Sequence, residues 1–261
     1  MGKVVALVNQ KGGVGKTTTS INLASALGYF HRKVLLVDLD PQGNCTTGVG
    51  IDKRVTKKSV YDLLIDNGTV DEAIIKTKFK NLSIIPASLN LAGLDNELRE
   101  KSRNEEGFNS NAQLKKYLDE IREKYDYIII DCPPSLNILT TNALVASDSV
   151  IIPVQCEFFA LEGIMQLLNS IMWAQRTLNS SLDIEGVLLT MLDSRTNLGL
   201  EVVEEIRTYF KERVYDTIIP RTVKISEAPS HGMPILTYEP NSKGALAYLN
   251  LAKEVIERNG N

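Results

Sequence analysis

The sequence predicts an α/β protein in which a doubly wound, mostly parallel sheet carries helices on both faces. Apolar runs rich in Val, Ile and Leu alternate with helical patterns along nearly the whole chain. Most of these runs are continuous, which is typical of strands buried on both faces. Strands that alternate with helices become parallel neighbours joined by right-handed crossovers, so the pattern indicates a layered α/β sheet.

The predicted elements follow one another in a regular order. We predict strands over residues 4–8, 34–38, 82–86, 127–131, 150–154, 186–192 and 214–219. We predict helices over residues 17–29, 111–124, 161–178 and 243–258, where apolar residues recur at helical spacing. Residues 43–58 are the least regular stretch, and residues 101–111 are expected to form a surface loop. Because no linker or repeat interrupts the pattern, residues 1–261 are expected to form a single domain.

Composition places the chain among ordinary globular proteins. Its 261 residues are 43% hydrophobic and 23% charged, which suffices to bury one large core. No apolar run approaches the ~20 residues of a membrane span, and we expect no signal peptide. Cys45, Cys132 and Cys156 form no C-x-x-C pair, which indicates reduced thiols and a cytoplasmic location. The net charge of −3 argues against a histone-like nucleic-acid binder but is compatible with a local basic patch.

A glycine-rich loop follows the first predicted strand and precedes the first predicted helix. It reads Gln10-Lys11-Gly12-Gly13-Val14-Gly15-Lys16-Thr17-Thr18. Strand, glycine loop and helix form the setting of a phosphate-binding loop, because the loop amides and the positive helix end point at one spot. Lys16 would reach the β- and γ-phosphates, and the hydroxyl of Thr17 would bind Mg²⁺. The general pattern has glycine where this chain has Gln10, and a second lysine, Lys11, begins the loop.

Aspartates follow two of the predicted strands. Asp38 and Asp40 end the second strand, and Asp131 ends the fourth. Ligands bind beyond the carboxyl ends of parallel strands, so these acids should meet at one edge of the sheet. Asp131 has the position of a Walker B acid and would hold Mg²⁺, and Asp40 would position the attacking water. The candidate metal-binding residues are Thr17, Asp40 and Asp131, while the alternative for Asp38 is that it only orients its neighbours.

The loop from Lys11 to Thr18 matches K-G-G-x-G-K-S/T-T, the deviant Walker A motif. With this motif the chain resembles the ParA/MinD superfamily of P-loop ATPases, and within it the Soj-type chromosomal ParA partitioning proteins. Further matching segments are VDLDPQGN at 37–44, YIIIDCPP at 127–134, IPVQCEFFALEG at 152–163 and IPRTVKISEAPSHG at 219–232. The resemblance therefore covers essentially the whole chain.

The resemblance implies a homodimer with ATP sandwiched between two copies of the chain. Lys11 would cross to the phosphates bound by the partner, as an arginine finger supplied in trans does. Asp40 matches the hydrolytic aspartate of the first switch, and Asp131 with Pro133 matches the second switch. Slow Mg²⁺-dependent ATP hydrolysis is implied, with a ParB-like centromere-binding partner accelerating it and returning the protein to monomers.

The remaining candidate residues also come from the resemblance. It places the adenine pocket at residues 190–193 and 220–223, with Met191, Pro220 and Thr222 as the candidates. It also implies ATP-dependent, nonspecific binding to double-stranded DNA and a nucleoid association, with Arg195, Arg221 and Lys224 as candidate contacts. The nucleotide-binding candidates in full are Lys11, Gly12, Gly13, Val14, Gly15, Lys16, Thr17, Thr18, Met191, Pro220 and Thr222, and the catalytic candidates are Lys11, Lys16 and Asp40.

Two alternatives share the same loop. A MinD-type positioning ATPase would carry a basic amphipathic helix at its C-terminus, but the charges of the last predicted helix cancel, and we expect that helix to pack on the sheet. A relative of the nitrogenase iron protein would need cysteines placed to hold a cluster between subunits. Cys132 and Cys156 do not lie in the expected loops, which disfavours that class.

Overall fold

The computed structural model of the protein describes residues 1–157, 160–193 and 197–260. Its strands are β1 (Lys3–Leu7), β2 (Val34–Asp38), β3 (Ile75–Lys76), β4 (Leu82–Ile85), β5 (Tyr127–Asp131), β6 (Ser149–Gln155) and β7 (Asp183–Thr190). Its α-helices are α1 (Lys16–Tyr29), α2 (Asn44–Gly48), α3 (Val60–Leu64), α4 (Val70–Ala73), α5 (Leu94–Asn104), α6 (Gln113–Ile121), α7 (Ile138–Ala146), α8 (Ala160–Thr177), α9 (Asn197–Phe210), α10 (Val223–Glu227), α11 (Ile235–Tyr238) and α12 (Lys243–Arg258). Short 3₁₀ helices span Leu89–Gly93, Arg122–Lys124, Lys211–Arg213 and Ala228–His231.

The strands form one sheet in the order β3-β4-β2-β5-β1-β6-β7. Neighbouring strands run parallel, except that β3 and β4 pair antiparallel at one edge. The mostly parallel sheet predicted from the sequence is therefore confirmed. Strand β1 lies between β5 and β6, so the loop that follows it emerges in the middle of the carboxyl edge of the sheet.

Helices cover both faces of this sheet. In β1, Val5 and Leu7 belong to an apolar cluster shared with α1 and α12, whereas Val4 and Ala6 belong to a second cluster shared with helices α6 to α9. All four side chains are buried. A strand covered on both faces needs no polar alternation, which is why its sequence is a continuous apolar run. The doubly wound arrangement is confirmed.

The predicted strand at residues 214–219 is wrong. This segment forms isolated parallel bridges at Val214 and at Pro220, and the amides of Tyr215 and Ile219 donate to β7 at 3.0 and 2.9 Å, but no continuous ladder forms. Between them the backbone amides of Asp216 and Thr217 donate to the carboxylate of Glu254 in α12, at 2.8 and 3.2 Å. The apolar pattern is that of a strand, but in its middle a helix side chain accepts from the backbone amides and interrupts the ladder.

The predicted surface loop at residues 101–111 is partly wrong, because α5 continues to Asn104. Leu94 and Leu98 bury one side of this helix, and Lys101 pairs with Glu105 at 3.4 Å across its last turn. The four predicted helices are confirmed to within a few residues at each end, as α1, α6, α8 and α12. Strand β3 was not predicted, since two residues are too few to show a pattern.

The last helix, α12, packs its apolar side against α1 and the sheet, as expected. Tyr248, Leu251 and Val255 are buried, and the hydroxyl of Tyr248 lies 3.4 Å from that of Thr19 in α1. Among the described residues, no helix has the length and apolar character needed to cross a membrane.

Candidate nucleotide-binding site

The glycine loop connects β1 to α1, and two of its glycines determine its shape. Gly13 and Gly15 have φ values of 76° and 87°, in the left-handed region that favours glycine. Gly15 is the N-cap of α1, so the free amides of the first helical turn lie beside the loop. At Gly12, by contrast, no described atom lies within 4 Å of the position that a Cβ would take. Gly12 is therefore not required for packing within one copy of the chain.

Two buried polar side chains fasten the loop to neighbouring strands. The side-chain oxygen of Asn9 accepts from the Lys11 amide at 3.0 Å, while its amide nitrogen donates to the Pro153 carbonyl in β6 at 2.7 Å. The hydroxyl of Thr190 at the end of β7 donates to the Val14 carbonyl at 2.8 Å. Sequence reasoning did not assign Asn9 or Thr190 these roles. The only local signal was a polar residue at the end of an apolar strand.

The side chain of Lys16, at the end of the glycine loop, is almost entirely buried. It is 6% exposed, and its ammonium group donates to the Lys11 carbonyl at 3.1 Å. Burial lowers the pKa of Lys16, and the nearby carboxylate of Asp131 opposes that shift. The lysine is thus placed within the concave side of the loop, facing the carboxyl ends of β1 and β5.

Asp131 and Asp38 lie side by side at the ends of β5 and β2, where they are register partners. Both are fully buried. One oxygen of Asp131 accepts from the hydroxyl of Ser20 at 2.8 Å, and the side chain of Thr17 lies close enough to the carboxylate to oppose the rise of its pKa. Its other oxygen, Oδ2, has no hydrogen-bond partner. Burial raises the pKa of Asp131 well above its ordinary value, and the neighbouring charge of Asp38 raises it further.

The carboxylate of Asp38 is, in contrast, fully engaged. Its Oδ2 accepts from the amide and the hydroxyl of Thr46 at 2.8 and 2.7 Å, and its Oδ1 accepts from the Asp40 amide at 3.1 Å. Asp38 therefore holds the segment that carries Asp40, which agrees with the alternative that it orients its neighbours. Asp40 is only partly exposed, and its carboxylate accepts from the Gln42 amide at 2.9 Å.

The residues around Asp131 fit a Mg²⁺ ion. The unpartnered oxygen of Asp131 and the hydroxyl of Thr17 are the hard oxygen donors that Mg²⁺ prefers. No cluster of three or more His, Cys, Asp or Glu side chains in the described ranges could hold a metal ion by itself. Mg²⁺ in proteins binds through one or two carboxylates and keeps water and substrate phosphates as its other ligands.

The three adenine-pocket candidates lie together beside the loop. Met191, Pro220 and Thr222 line a cavity of about 140 Å³ that Gly15 and Thr18 also border. The remaining lining residues are Thr190, Ile219, Arg221, Ile225, Ser226 and Tyr248. Segments from β7, from the region before α10 and from α12 thus converge on the start of α1.

Lys11, the second lysine of the loop, lies at the surface. Its ammonium group is 3.4 Å from a carboxylate oxygen of Glu157, just beyond β6, and the two side chains are 40% and 48% exposed. Glu157 also accepts from the side chain of Gln155. Lys11 and Lys16 therefore lie five residues apart in one loop, but only Lys16 is enclosed by it.

The candidate DNA contacts are placed unequally. Arg195 lies outside the described residues. Arg221 is exposed at the border of the cavity that Met191 lines, and Lys224 is exposed in α10. Lys224 pairs with Glu227 at 3.2 Å, and its ammonium group lies 5.6 Å from the centre of the Tyr238 ring.

Sequence comparison links the chain to proteins of known type. A model of the AAA domain family matches residues 2–184. The sporulation initiation inhibitor protein Soj of Bacillus subtilis is 57% identical over 255 residues, 98% of this chain and 98% of that protein. The chromosome-partitioning ATPase Soj of Treponema pallidum is 48% identical over 260 residues, 100% of this chain and 99% of that one.

Solved structures extend the comparison to bound ligands. A cobyrinic acid a,c-diamide synthase from Mycobacterium smegmatis, crystallised with an ATP analog and magnesium, is similar with a TM-score of 0.86 and 35% identity, over 100% of this chain and 96% of that one. The cell division ATPase MinD of Pyrococcus furiosus is similar with a TM-score of 0.80 and 27% identity, over 98% and 99% of the two chains. The Soj proteins are thus more similar in sequence than either of these structures.

Proposed function

This chain belongs to the Soj/ParA family of chromosome-partitioning ATPases, and from its site we propose that it is a slow, Mg²⁺-dependent ATPase that works as an ATP-bound homodimer. The observation that carries the proposal is the contrast between its two loop lysines. Lys16 is buried within the loop, whereas Lys11 is exposed at the rim, where a second copy can approach it. Each copy contributes a single ATPase domain spanning residues 1–261.

Different residues in and around the loop would bind the phosphates, hold Mg²⁺ and position the attacking water. The loop amides from Gly12 to Thr18 bind the phosphates, and Lys16 exchanges its bond to the Lys11 carbonyl for the β- and γ-phosphates. Thr17 and Asp131 hold Mg²⁺, which when bound neutralises phosphate charge. Asp40 orients the attacking water, since Asp38 fixes the backbone from which it projects.

Dimerisation completes the site. Lys11 leaves Glu157 and contacts the phosphates bound by the partner copy, where a positive charge stabilises the transferring phosphoryl group. Without the partner, each copy lacks this charge, which accounts for hydrolysis being slow and coupled to assembly. ATP thereby sets the lifetime of the dimer.

The dimer, in this proposal, binds double-stranded DNA without sequence preference, and a ParB-like centromere-binding partner accelerates hydrolysis and releases monomers. Arg195, Arg221 and Lys224 are the proposed phosphate contacts, and the protein is cytoplasmic and associated with the nucleoid. Each copy brings only a few basic residues, so binding becomes strong only when two copies present them together.

Dimerisation and DNA binding measured side by side test the proposal. We expect monomers and weak DNA binding with ADP and Mg²⁺, and dimers with strong, salt-sensitive DNA binding with ATP and Mg²⁺, by light scattering and gel shift. Equal DNA binding with ADP and ATP, or binding that does not weaken as salt rises, would contradict it.

A membrane-attached ATPase of MinD type is the alternative, favoured by the structural similarity to MinD. In this chain, however, the apolar side of α12 is buried against α1 and the sheet, where it is not free to enter a bilayer. Co-sedimentation with anionic liposomes in ATP separates the two functions. Pelleting with liposomes but not with DNA would favour the MinD type.

A further inference from the structure

Residues 76–81, here called the lysine turn, run from the last residue of β3 to the start of β4 and present three lysines in alternate positions. Lys76, Lys78 and Lys80 are exposed, while Thr77 and Phe79 between them are half-buried. Within the described part of the chain, none of the three ammonium groups pairs with a carboxylate, although Lys78 lies 5.4 Å from the centre of the Phe79 ring. Three unpaired lysines within five residues are a local excess of positive charge in a chain with a net charge of −3.

The backbone of the lysine turn is held in one shape. The Thr77 hydroxyl donates to the Leu82 carbonyl at 2.8 Å and accepts from the Phe79 amide at 3.1 Å. The side-chain amide of Asn81 donates to the Gly28 carbonyl at the end of α1, at 3.1 Å, and Phe79 packs on the apolar cluster beneath that helix. The lysines therefore project from a fixed support, which reduces the entropy lost when they bind a ligand.

The lysine turn faces, across a cavity, the segment that follows α10, the helix that carries Lys224 and its ion-pair partner Glu227. Lys78 and Lys80 line one side of a cavity of about 760 Å³, and residues between 233 and 241 line the other. Directly beside that second side, Tyr238 stacks on His231 with ring centres 5.0 Å apart and lies under the ammonium group of Lys224. Lys224, one of the proposed DNA contacts, and the lysine turn thus border the same stretch of surface.

Protection of the sheet edge explains only part of this arrangement. Lysines on an edge strand prevent pairing with another chain, and Lys76 lies on the edge strand β3. Lys78 and Lys80 come after the strand ends and lie outside the hydrogen-bonded ladder. Edge protection does not require them, so their charge needs another explanation.

We propose that Lys78 and Lys80 bind backbone phosphates of double-stranded DNA, extending the DNA surface from Lys224 across the 760 Å³ cavity to the lysine turn. This rests on the DNA binding proposed above. Ammonium groups act as point charges suited to phosphate, and a row of them carries no information about base sequence. The chemistry therefore suits a protein that binds DNA without sequence preference.

Neutralising the two lysines tests the proposal. DNA binding with ATP and Mg²⁺ is compared for wild type and for the double variant Lys78→Gln/Lys80→Gln, by fluorescence anisotropy over a range of salt concentrations. The control is Lys115→Gln/Lys116→Gln, which removes two lysines from α6 on the opposite face of the sheet, where they pair with Asp119 and Asp66. We expect the lysine-turn variant to bind roughly tenfold more weakly, with a salt slope shallower by about 0.9 for each phosphate that is no longer neutralised. Light scattering should show unchanged dimerisation, and Lys78→Arg/Lys80→Arg should restore binding.

The outcomes distinguish this proposal from the one on which it rests. If wild type binds DNA with ATP and the lysine-turn variant binds as tightly as the α6 control, the lysine turn is not a DNA contact, while the proposed function remains. Such a result would leave the lysine turn to another polyanion, such as an acidic protein. If wild type itself does not bind DNA with ATP, the proposed function fails. Weak binding by the Arg double variant would exclude charge as the cause.

Discussion

Lys11 and Lys16 belong to one loop, but Lys16 is buried and Lys11 is exposed. Gly12 follows Lys11 on the exposed side of the loop. Lys16 is enclosed by the loop, whereas Lys11 forms an exposed ion pair with Glu157. Exposed ion pairs contribute only ~0–1 kcal/mol, so a stronger negative partner readily displaces Glu157. The loop is therefore complete for binding phosphates within one copy, while its outer side, with Lys11 and Gly12, is free for contact with a second.

Gly12→Val tests the role of that outer side. No described atom lies within 4 Å of the Cβ position of Gly12, so the variant should fold and bind ATP with near-normal affinity. Across a two-fold axis, however, the same loop faces itself, and the added side chains should prevent close approach. We expect a monomer in ATP and Mg²⁺ by light scattering. Gly93→Val, another glycine with open space at its Cβ position, is the control and should still dimerise. Dimers of Gly12→Val would show that the two loops do not meet.

Asn9→Ala tests the tether between the loop and β6. The substitution removes both hydrogen bonds of a buried side chain and leaves the Pro153 carbonyl without that partner. We expect a loss of about 1–3 kcal/mol in the free energy of unfolding and weaker ATP binding, because the loop is no longer held in register. Denaturant unfolding and calorimetric titration measure the two effects. Asn241→Ala, at an exposed position, should change stability by less than about 0.5 kcal/mol, and equal effects in the two variants would exclude a tether.

At the scale of elements, the sequence predicts the strands and loops that a local residue pattern determines. Continuous apolar runs identify β1, β2 and β5, and the glycines with the following helix identify the phosphate loop. Sequence pattern could not identify contacts between distant residues. Glu254 accepts hydrogen bonds from the amides of Asp216 and Thr217, and the segment that reads as a strand therefore forms no continuous ladder. The hydrogen bond from Asn9 to Pro153 joins residues that lie 144 positions apart. Such contacts depend on tertiary packing, which leaves no periodic signal in either partner.

Gly28→Ala tests how α1 and the lysine turn are packed together. A Cβ at this position would lie 2.5 Å from the backbone carbonyl oxygen of Lys80, which cannot move without shifting the turn. We expect a loss of roughly 1–3 kcal/mol in stability, together with weaker DNA binding if the turn contacts DNA. Gly163→Ala, in α8 with nothing described within 4 Å, should be neutral or stabilise by about 0.5–1 kcal/mol. Thermal unfolding compares the two. Similar melting temperatures for both variants would show that the lysine turn can shift away from α1 without a loss of stability.

At the scale of the whole molecule, the proposed function has nucleotide, partner copy and DNA act on one equilibrium. If only the ATP-bound dimer binds DNA strongly, DNA and ATP each stabilise the dimer, and hydrolysis is the step that ends all three associations. The rate of hydrolysis then sets how long the protein stays on DNA. Asp40 is the residue through which this lifetime can be changed without altering the DNA surface, since its carboxylate bonds only the Gln42 amide among the described residues.

Asp40→Ala should therefore lengthen the time on DNA. Loss of the group that orients water should slow hydrolysis by roughly 10²-fold or more, while the loop and the candidate dimer contacts remain intact. We expect the variant to dimerise in ATP and to stay on DNA long after the free nucleotide is exchanged for ADP, whereas wild type is released as its ATP is consumed. Anisotropy of labelled DNA after the exchange follows both time courses. Asp52→Ala, in the exposed segment after α2, is the control and should be released like wild type. Release of Asp40→Ala at the wild-type rate, with hydrolysis slowed, would mean that something other than hydrolysis ends DNA binding.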